Sequence, residues 1–516
     1  MSAQQITPAT KQVAMTLAAI AATAATPRPS GESVAEQCAR MILGVNQQLT
    51  VPLLATQGGW SLVWAALSED NANMAYLART NERFNQFAVV LRGTVAGSVT
   101  DLLEDLDVGT VVPFTALHTS SNTAPPYVSK GAMEAFCQIM AMSTQGITLV
   151  QALAGALASA PPNPTVLVTG HSLGGALATM VAPHLRTLTW PGSSAPAFGL
   201  YTFAAPTAGG PDFAKYVSSG LSWVVNERYV NNYDVVPLAW TSVDTAKIWY
   251  PDGGPAADFD AKAVISAIAG LPGPNKYAQP GPAIPLNPNY DTKNTAVMRK
   301  SVQDFMAQAA HQHSNDVYLR LLQAPALLPG PVVTGIKPNA GQAGSQITIS
   351  GSGFAGGVAI DFGPVAYTGT TIVEDDNTIT VWAPPGIGVV DVRVTTRLGT
   401  SPAVPTAQFA YGGPPPVLVT GINPTRGKSG TQVTISGVNF TADATVSFGS
   451  VQATGALVAP PDTITVNAPS GVTGPDKPST VNVTVLSNGY SSPSGPADEY
   501  SYPDPVSDEE RRPEER

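Results

Sequence analysis

A serine hydroxyl becomes a nucleophile only where the chain exposes it and a base can take its proton. Gly170-His171-Ser172-Leu173-Gly174 offers such a serine. The apolar run Thr165-Val-Leu-Val-Thr169 enters it as a strand candidate, and the helix former Ala176-Leu-Ala-Thr-Met180 leaves it. A sharp strand-to-helix turn of the form G-x-S-x-G lifts the serine Oγ above a sheet. Gly170 and Gly174, extended by Gly175, give strand and helix room to approach. The same turn aims the backbone N–H of Leu173 at the oxygen of a reacting carbonyl. The five-residue pattern alone would also suit an ordinary turn in a glycine-rich chain. Its place between a buried strand and an alanine-rich helix selects Ser172 as a nucleophile.

The serine needs a base, and the base needs an orienting carboxylate. After such an elbow the chain order is serine, acid, histidine. Of five histidines, His118 and His171 precede the serine, and His171 is expected to direct its side chain elsewhere. His184 falls on the helix leaving the elbow, its ring away from the site or in solvent. His311 and His313 alone come late enough, and one of the two is expected to serve. Asp234 is the best acid: it follows the strand candidate Arg228-Tyr-Val-Asn231 and precedes Val235-Val-Pro237. That places it at the C-terminal edge of a sheet, where open α/β sheets keep reactive groups. Asp212 and Asp244 are the rivals, each more simply a loop carboxylate.

These groups need a scaffold, and residues 1–328 read as one. Phe87-Ala-Val-Val-Leu91, Thr165–Thr169, Tyr201-Thr-Phe-Ala204 and Arg228–Asn231 are short apolar strands. They alternate with helical stretches, including Lys130–Ala160 and a short alanine-rich helix near 260–268. The expected fold is α/β: a mostly parallel sheet with helices on both faces. Trp240–Lys300 reads as long loops, whose Trp240, Trp249 and Tyr250 would wall an acyl pocket or cover a core edge. Pro325–Pro331 is a linker. Beyond it, TGIKPNAGQAGSQITISGSGF from Thr334 returns as TGINPTRGKSGTQVTISGVNF from Thr420. Such a repeat means two copies of one module, 331–412 and 417–502. Alternation by two between Gly and Pro turns makes each an all-β sandwich. Residues 503–516 are charged, lack apolar anchors and are expected to be disordered.

Composition closes several function classes. The 516 residues include 26 basic and 36 acidic ones, net −10. With no Lys/Arg run, nucleic acid is excluded as a partner. No run of 18 apolar residues exists to span a membrane. Two cysteines, Cys38 and Cys137, cannot build a disulfide scaffold or a thiolate-only zinc site. No metal or organic cofactor is required, because backbone N–H groups can stabilise the developing charge. Val13–Thr26 has the apolar character of a secretory leader but repeated threonines and only Lys11 before it. It reads as an N-terminal helix or loose tail.

Residues 1–328 resemble the fungal-type, or class 3, triacylglycerol lipases of the α/β-hydrolase superfamily. The matching blocks are VVLRGT (89–94), DLLEDLD (101–107), YVSKGAMEAF (127–136), VTGHSLGGALA (168–178), YTFAAPTAGGPDF (201–213) and RYVNNYDVVP (228–237). The resemblance implies Ser172 as nucleophile and Asp234 as acid. It implies His313, opening HSNDVYLRLL, as base in preference to His311. It also implies Thr94, after Arg92-Gly93, as second oxyanion donor beside Leu173. Arg92 would be structural, pairing with a carboxylate of 101–107. Where family members carry an aromatic lid, Val95–Val108 has Leu102, Leu103 and Leu106, so a short lid or an uncovered site is expected.

The repeated modules resemble the immunoglobulin-like IPT/TIG domain through G-I-x-P, T-I-S-G-x-x-F and the F-G pair. That match fixes a fold and not a function. A surface or glycan partner is conceivable for them, and Trp382 and Tyr411 are more simply core-edge residues than sugar platforms. The expected enzyme is a serine ester hydrolase, a lipase cleaving neutral acylglycerols, outside the cell or at its surface, with the cytoplasm as the alternative. A phospholipase A1, a polyester or short-chain carboxylesterase, and a non-catalytic surface binding protein are the competing readings.

Overall fold

The computed structural model describes residues 10–24, 28, 32–82, 85–92, 107–117, 124–191, 195–249, 257, 259–287, 302–355, 357–412, 417–460, 462–470, 472, 480–487, 490–492, 494 and 496–502. The expected disorder of 503–516 falls outside them. Apart from 29–31 and 397–399, one compact unit runs to Pro329 and a second begins at Gly330.

Among the described residues the first unit is built on a sheet of seven strands: β1 (Trp60–Leu67), β2 (Met74–Thr80), β3 (Gln86–Arg92), β4 (Thr165–His171), β5 (Ala197–Phe203), β6 (Val225–Asn231) and β7 (Ala283–Asn287). They lie in the sheet in that same order. From β3 to β7 every pairing is parallel, whereas β1–β2 and β2–β3 are antiparallel. The sheet is thus mixed, with a parallel majority. Of these seven, β3 to β6 are the strands expected from the sequence.

Alternation by two divides the side chains between two layers. Phe87, Val89, Leu91, Val166, Val168, Phe198 and Leu200 face one core. It is covered by α3 (Lys130–Ala141), α4 (Leu149–Ala158), α5 (Leu173–Thr187), α6 (Pro211–Ser219) and α7 (Phe259–Gly270). The Lys130–Ala160 stretch is therefore two helices, because the Ser143–Thr144/Ile147–Thr148 hairpin turns the chain between them.

On the other face Ala88, Val90, Leu167, Tyr201 and Phe203 meet α1 (Thr10–Ala24), α2 (Val34–Leu49) and α9 (Asn315–Leu321). The N-terminal apolar stretch is thus a core helix. Ala14, Met15 and Leu17 through Ala21 are at most 2% exposed. Tyr76 Oη donates to the Leu17 carbonyl at 2.7 Å and Thr169 Oγ1 to that of Ala14 at 3.3 Å. No helix among the described residues is long and apolar enough to cross a membrane.

The second unit contains two sandwiches of the same plan. Strands 332–337, 346–352, 378–382 and 372–375 form one sheet of the first copy, and 418–423, 432–438, 463–467 and 457–459 its counterpart in the second. The repeated T-I-S-G-x-x-F has a packing cause. A Cβ on Gly351 would stand 1.9 Å from the Val332 carbonyl oxygen and 2.4 Å from the Phe354 ring. On Gly437 the corresponding distances are 2.1 Å to Leu418 and 2.2 Å to Phe440. The glycine lets the phenylalanine, fully or nearly fully buried in each copy, close over the strand. Tyr411 stands edge-on against Phe409 at 5.0 Å, which makes it a core-edge residue.

Candidate active site

The elbow forms where β4 ends and α5 begins. Ser172 sits between them at φ 59° and ψ −134°, a conformation that costs a side-chain-bearing residue about 1–3 kcal/mol. The surroundings hold it there. Ser172 N–H donates to the Phe203 carbonyl at 2.9 Å, and its carbonyl accepts from Gly175 at 2.9 Å. The glycines around it have no room for a side chain. A Cβ on Gly170 would lie 2.3 Å from the Gly174 carbonyl, one on Gly174 2.2 Å from the Leu91 carbonyl oxygen, and one on Gly175 2.8 Å from Ala205 Cβ. The helix start is thereby pressed against β3 and β4. Leu173 opens α5, where the first backbone N–H groups have no partner within the helix.

Over this turn come two side chains distant in sequence. His313, last residue of α8 (Val302–His313), places Nε2 2.8 Å from Ser172 Oγ. Its Nδ1 lies 2.8 Å from Asp234 Oδ2. Asp234 follows β6 and is 1% exposed. Its other oxygen accepts the Val236 backbone N–H at 3.0 Å, so the carboxylate is fixed on both sides. His313, and not His311 two residues earlier on the same helix, is the ring between serine and carboxylate.

The rival residues are engaged elsewhere. Asp212 lies in the first turn of α6 and accepts from Tyr127 and Phe213 N–H, and Asp244 pairs with Lys247 at 2.7 Å. His184 is half-buried, with Nδ1 3.0 Å from the Ala116 carbonyl. Arg92 binds the carbonyl and the side-chain oxygen of Asn71, which anchors the β1–β2 turn. Of the 101–107 block, 101–106 fall outside the described residues, as do His118, Gly93 and Thr94, the expected second oxyanion donor. Trp240 is buried in the core with Val243 and Ala246. Trp249 stands edge-on to Tyr233, centroids 6.0 Å apart, beside Asp234 in sequence. Tyr250 lies outside the described residues. Cys38 and Cys137 are both free thiols and are not paired in a disulfide.

Two findings go beyond the sequence reading. Tyr318, on α9, donates its hydroxyl to Asp234 Oδ2 at 2.8 Å and accepts the Asn231 N–H at 3.0 Å. Burial, and next the Asp234 charge, push this phenol well above its usual range, so it remains a donor. Asn231 in turn donates to the Gln312 carbonyl and Oε1 at 2.9 and 2.7 Å, tying β6 to the residue before His313. The second is a correction. His171 does not point elsewhere: its ring centroid is 4.8 Å from that of His313. Period-2 alternation signalled this, since His171 falls on the same side of β4 as Leu167 and Thr169, the side α9 covers.

The arrangement can transfer a proton from a serine hydroxyl to an imidazole whose opposite nitrogen is held by a carboxylate. Among the described residues no cluster of His, Cys, Asp and Glu could hold a metal.

Comparison with known proteins agrees with this architecture. Residues 88–243 match the family described as Lipase (class 3), and residues 331–411 and 416–502 match the IPT/TIG domain. A secreted mono- and diacylglycerol lipase 1 of Fusarium solani is 29% identical over 185 residues, 35% of this chain and 48% of the relative. A lipase of Rhizomucor miehei is 46% identical over 77 residues, 15% of this chain and 20% of the relative. The chain thus spans about half the length of the first of these relatives and a fifth of the second. The crystal structure of M37 lipase superposes with a TM-score of 0.51 over 62% of this chain and 93% of the other, at 21% identity, a likeness of fold. Residues 88–243 of this chain are thus similar to the class 3 lipases, and residues 331–411 and 416–502 to the IPT/TIG domain.

Proposed function

We propose that the protein is a serine ester hydrolase, a lipase acting on acylglycerols through Ser172, His313 and Asp234. The observation that carries this reading is the continuous line Ser172 Oγ–His313–Asp234, with both hydrogen bonds at 2.8 Å. In the reaction His313 Nε2 takes the Ser172 proton as Oγ attacks the ester carbonyl. Asp234 keeps the Nδ1–H tautomer and stabilises the imidazolium. The Leu173 N–H, with Thr94 as its partner, receives the charge that develops on the carbonyl oxygen. Losing one such donor costs about 2.7–4 kcal/mol of transition-state stabilisation. The tetrahedral intermediate collapses, the alcohol leaves with the proton from His313, and an acyl ester remains on Ser172. Water deprotonated by His313 then releases the acid and restores the hydroxyl.

The acylglycerol substrate is supported by the class 3 lipase match and by the similarity to the mono- and diacylglycerol lipase of Fusarium solani. An overall charge of −10 favours a neutral ester surface over an anionic one. The same reading places the protein outside the cell, supported by the similarity to a secreted lipase of Fusarium solani, and gives the two modules a surface or glycan partner. Initial rates on p-nitrophenyl esters from acetyl to palmitoyl, for wild type and Ser172→Ala, test it. Long-chain hydrolysis that vanishes in the variant is expected. Activity confined to short chains makes the enzyme a carboxylesterase, and activity surviving in Ser172→Ala overturns the assignment.

A further inference from the structure

His171 stands between the elbow glycine and the nucleophile, and the reaction as described gives it no task. Its side chain is nevertheless committed to the site. As the last residue of β4, paired with Phe203, it projects onto the face covered by α1 and α9. There it lies between two rings that matter: that of His313, centroids 4.8 Å apart and planes 42° to each other, and that of Tyr318, edge-on at 5.2 Å. Tyr318 is the group that donates to Asp234 Oδ2. His171 is 8% exposed, and its Nε2 is buried without a hydrogen-bond partner.

We infer that His171 is a positioning residue for the base: its ring is the wall that sets the tilt at which His313 Nε2 meets Ser172 Oγ. The geometry gives the reason. His313 is held at Nδ1 by Asp234 and at Nε2 by Ser172, two bonds at opposite ends of one ring. These bonds are soft, and the third point that fixes the ring plane, Cβ, hangs from the last residue of α8, so the ring keeps some freedom to tilt. A ring placed beside it, here at 4.8 Å and 42°, limits that tilt. The wall must also be uncharged, because a cation at this distance would oppose the imidazolium formed during attack. Burial, with the neighbouring His313 charge adding to it, holds His171 well below the ordinary histidine range, against a hydrogen bond to the His313 backbone. The titratable groups that face it are His313 from α8 and Tyr318 from α9, with Asp234 behind them.

The inference rests on the triad reading above, and its test separates the two. Wild type, His171→Ala and His171→Phe are compared by kcat and KM on p-nitrophenyl butyrate. The far-downfield proton resonance of His313 Nδ1–H, donated to a carboxylate, is followed in the same three proteins. In His171→Ala, kcat is expected to fall by about tenfold to a hundredfold, as for a misplacement near 1 Å. KM should stay within about twofold, and the resonance should broaden or vanish while the chain still melts cooperatively. His171→Phe, which restores a flat ring, should recover most of the lost kcat and the resonance. Wild-type kcat with an unchanged resonance in His171→Ala would overturn the role. So would a kcat loss that leaves the resonance intact and is not recovered by Phe. If wild type cleaves no ester, the proposed function fails, and the resonance still decides on His171.

Discussion

The tightest contact in the elbow sets a quantitative expectation. In Gly174→Ala the new Cβ would stand 2.2 Å from the Leu91 carbonyl oxygen, 2.8 Å from its carbonyl carbon and 3.1 Å from that of Arg92. It falls short of ordinary contact by roughly 1 Å. All three atoms are backbone of β3, a strand paired on both sides, so no flexible side chain can give way. The start of α5 must therefore move off β3 by that amount, and with it Ser172 and the Leu173 N–H. A shift of ~1 Å breaks the 2.8 Å contact to His313 Nε2 and is expected to lower kcat/KM about a hundredfold. That corresponds to about 2.7 kcal/mol of transition-state energy. Overpacking should destabilise the fold by about 1–3 kcal/mol as well. Gly155→Ala is the control, since its Cβ meets nothing within 4 Å in α4, and there alanine should leave activity alone and raise stability by about 0.4–1 kcal/mol. Rates on p-nitrophenyl butyrate and thermal melts by circular dichroism report both quantities. A Gly174→Ala protein with wild-type melting and wild-type kcat/KM would falsify the close-approach argument.

Three further outcomes are expected. Asp234→Asn keeps the shape but presents an amide to His313 Nδ1; kcat should fall by roughly 10⁴, and a loss under tenfold in steady-state assays would remove Asp234 from its role. Tyr318→Phe deletes a hydrogen bond to a buried carboxylate and strands the Asn231 N–H. Chemical denaturation should show a loss of about 1.5–3 kcal/mol or more, and an unchanged midpoint would show that the phenol carries no load. Removal of residues 1–26 strips α1 from the sheet face and leaves Tyr76 Oη and Thr169 Oγ1 without their α1 acceptors. The truncated chain should be insoluble or bind a hydrophobic dye, whereas a truncated chain that melts like the full one would return the segment to the status of a removable leader.

The local chemistry is legible because it is written over sixteen contiguous residues. Strand, turn and helix around Ser172 follow from Thr165–Met180 alone, and the clearance needed at Gly170 and Gly174 follows from the turn. The repeat likewise announced two copies of one β module, since a glycine three residues before a phenylalanine has the same packing cause in both. Asp234 could be favoured from its place after a strand. The sequence left His311 and His313 as alternatives, and only the resemblance preferred one.

What the tertiary structure alone decided concerns faces and distances. Ser172 and His313 are separated by 141 positions and His313 and Asp234 by 79, so no local pattern places one ring between the two. Tyr318 and Gln312 join the site only because α8 and α9 dock at the ends of β4 and β6. His171 and α1 make the same point. Alternation shows which side of β4 His171 occupies, but not that helices bring His313 and a tyrosine to that side. An apolar stretch such as Val13–Thr26 has the composition of a leader and of a core helix alike. The difference lies in whether another surface covers it, and coverage is a property of the assembled fold.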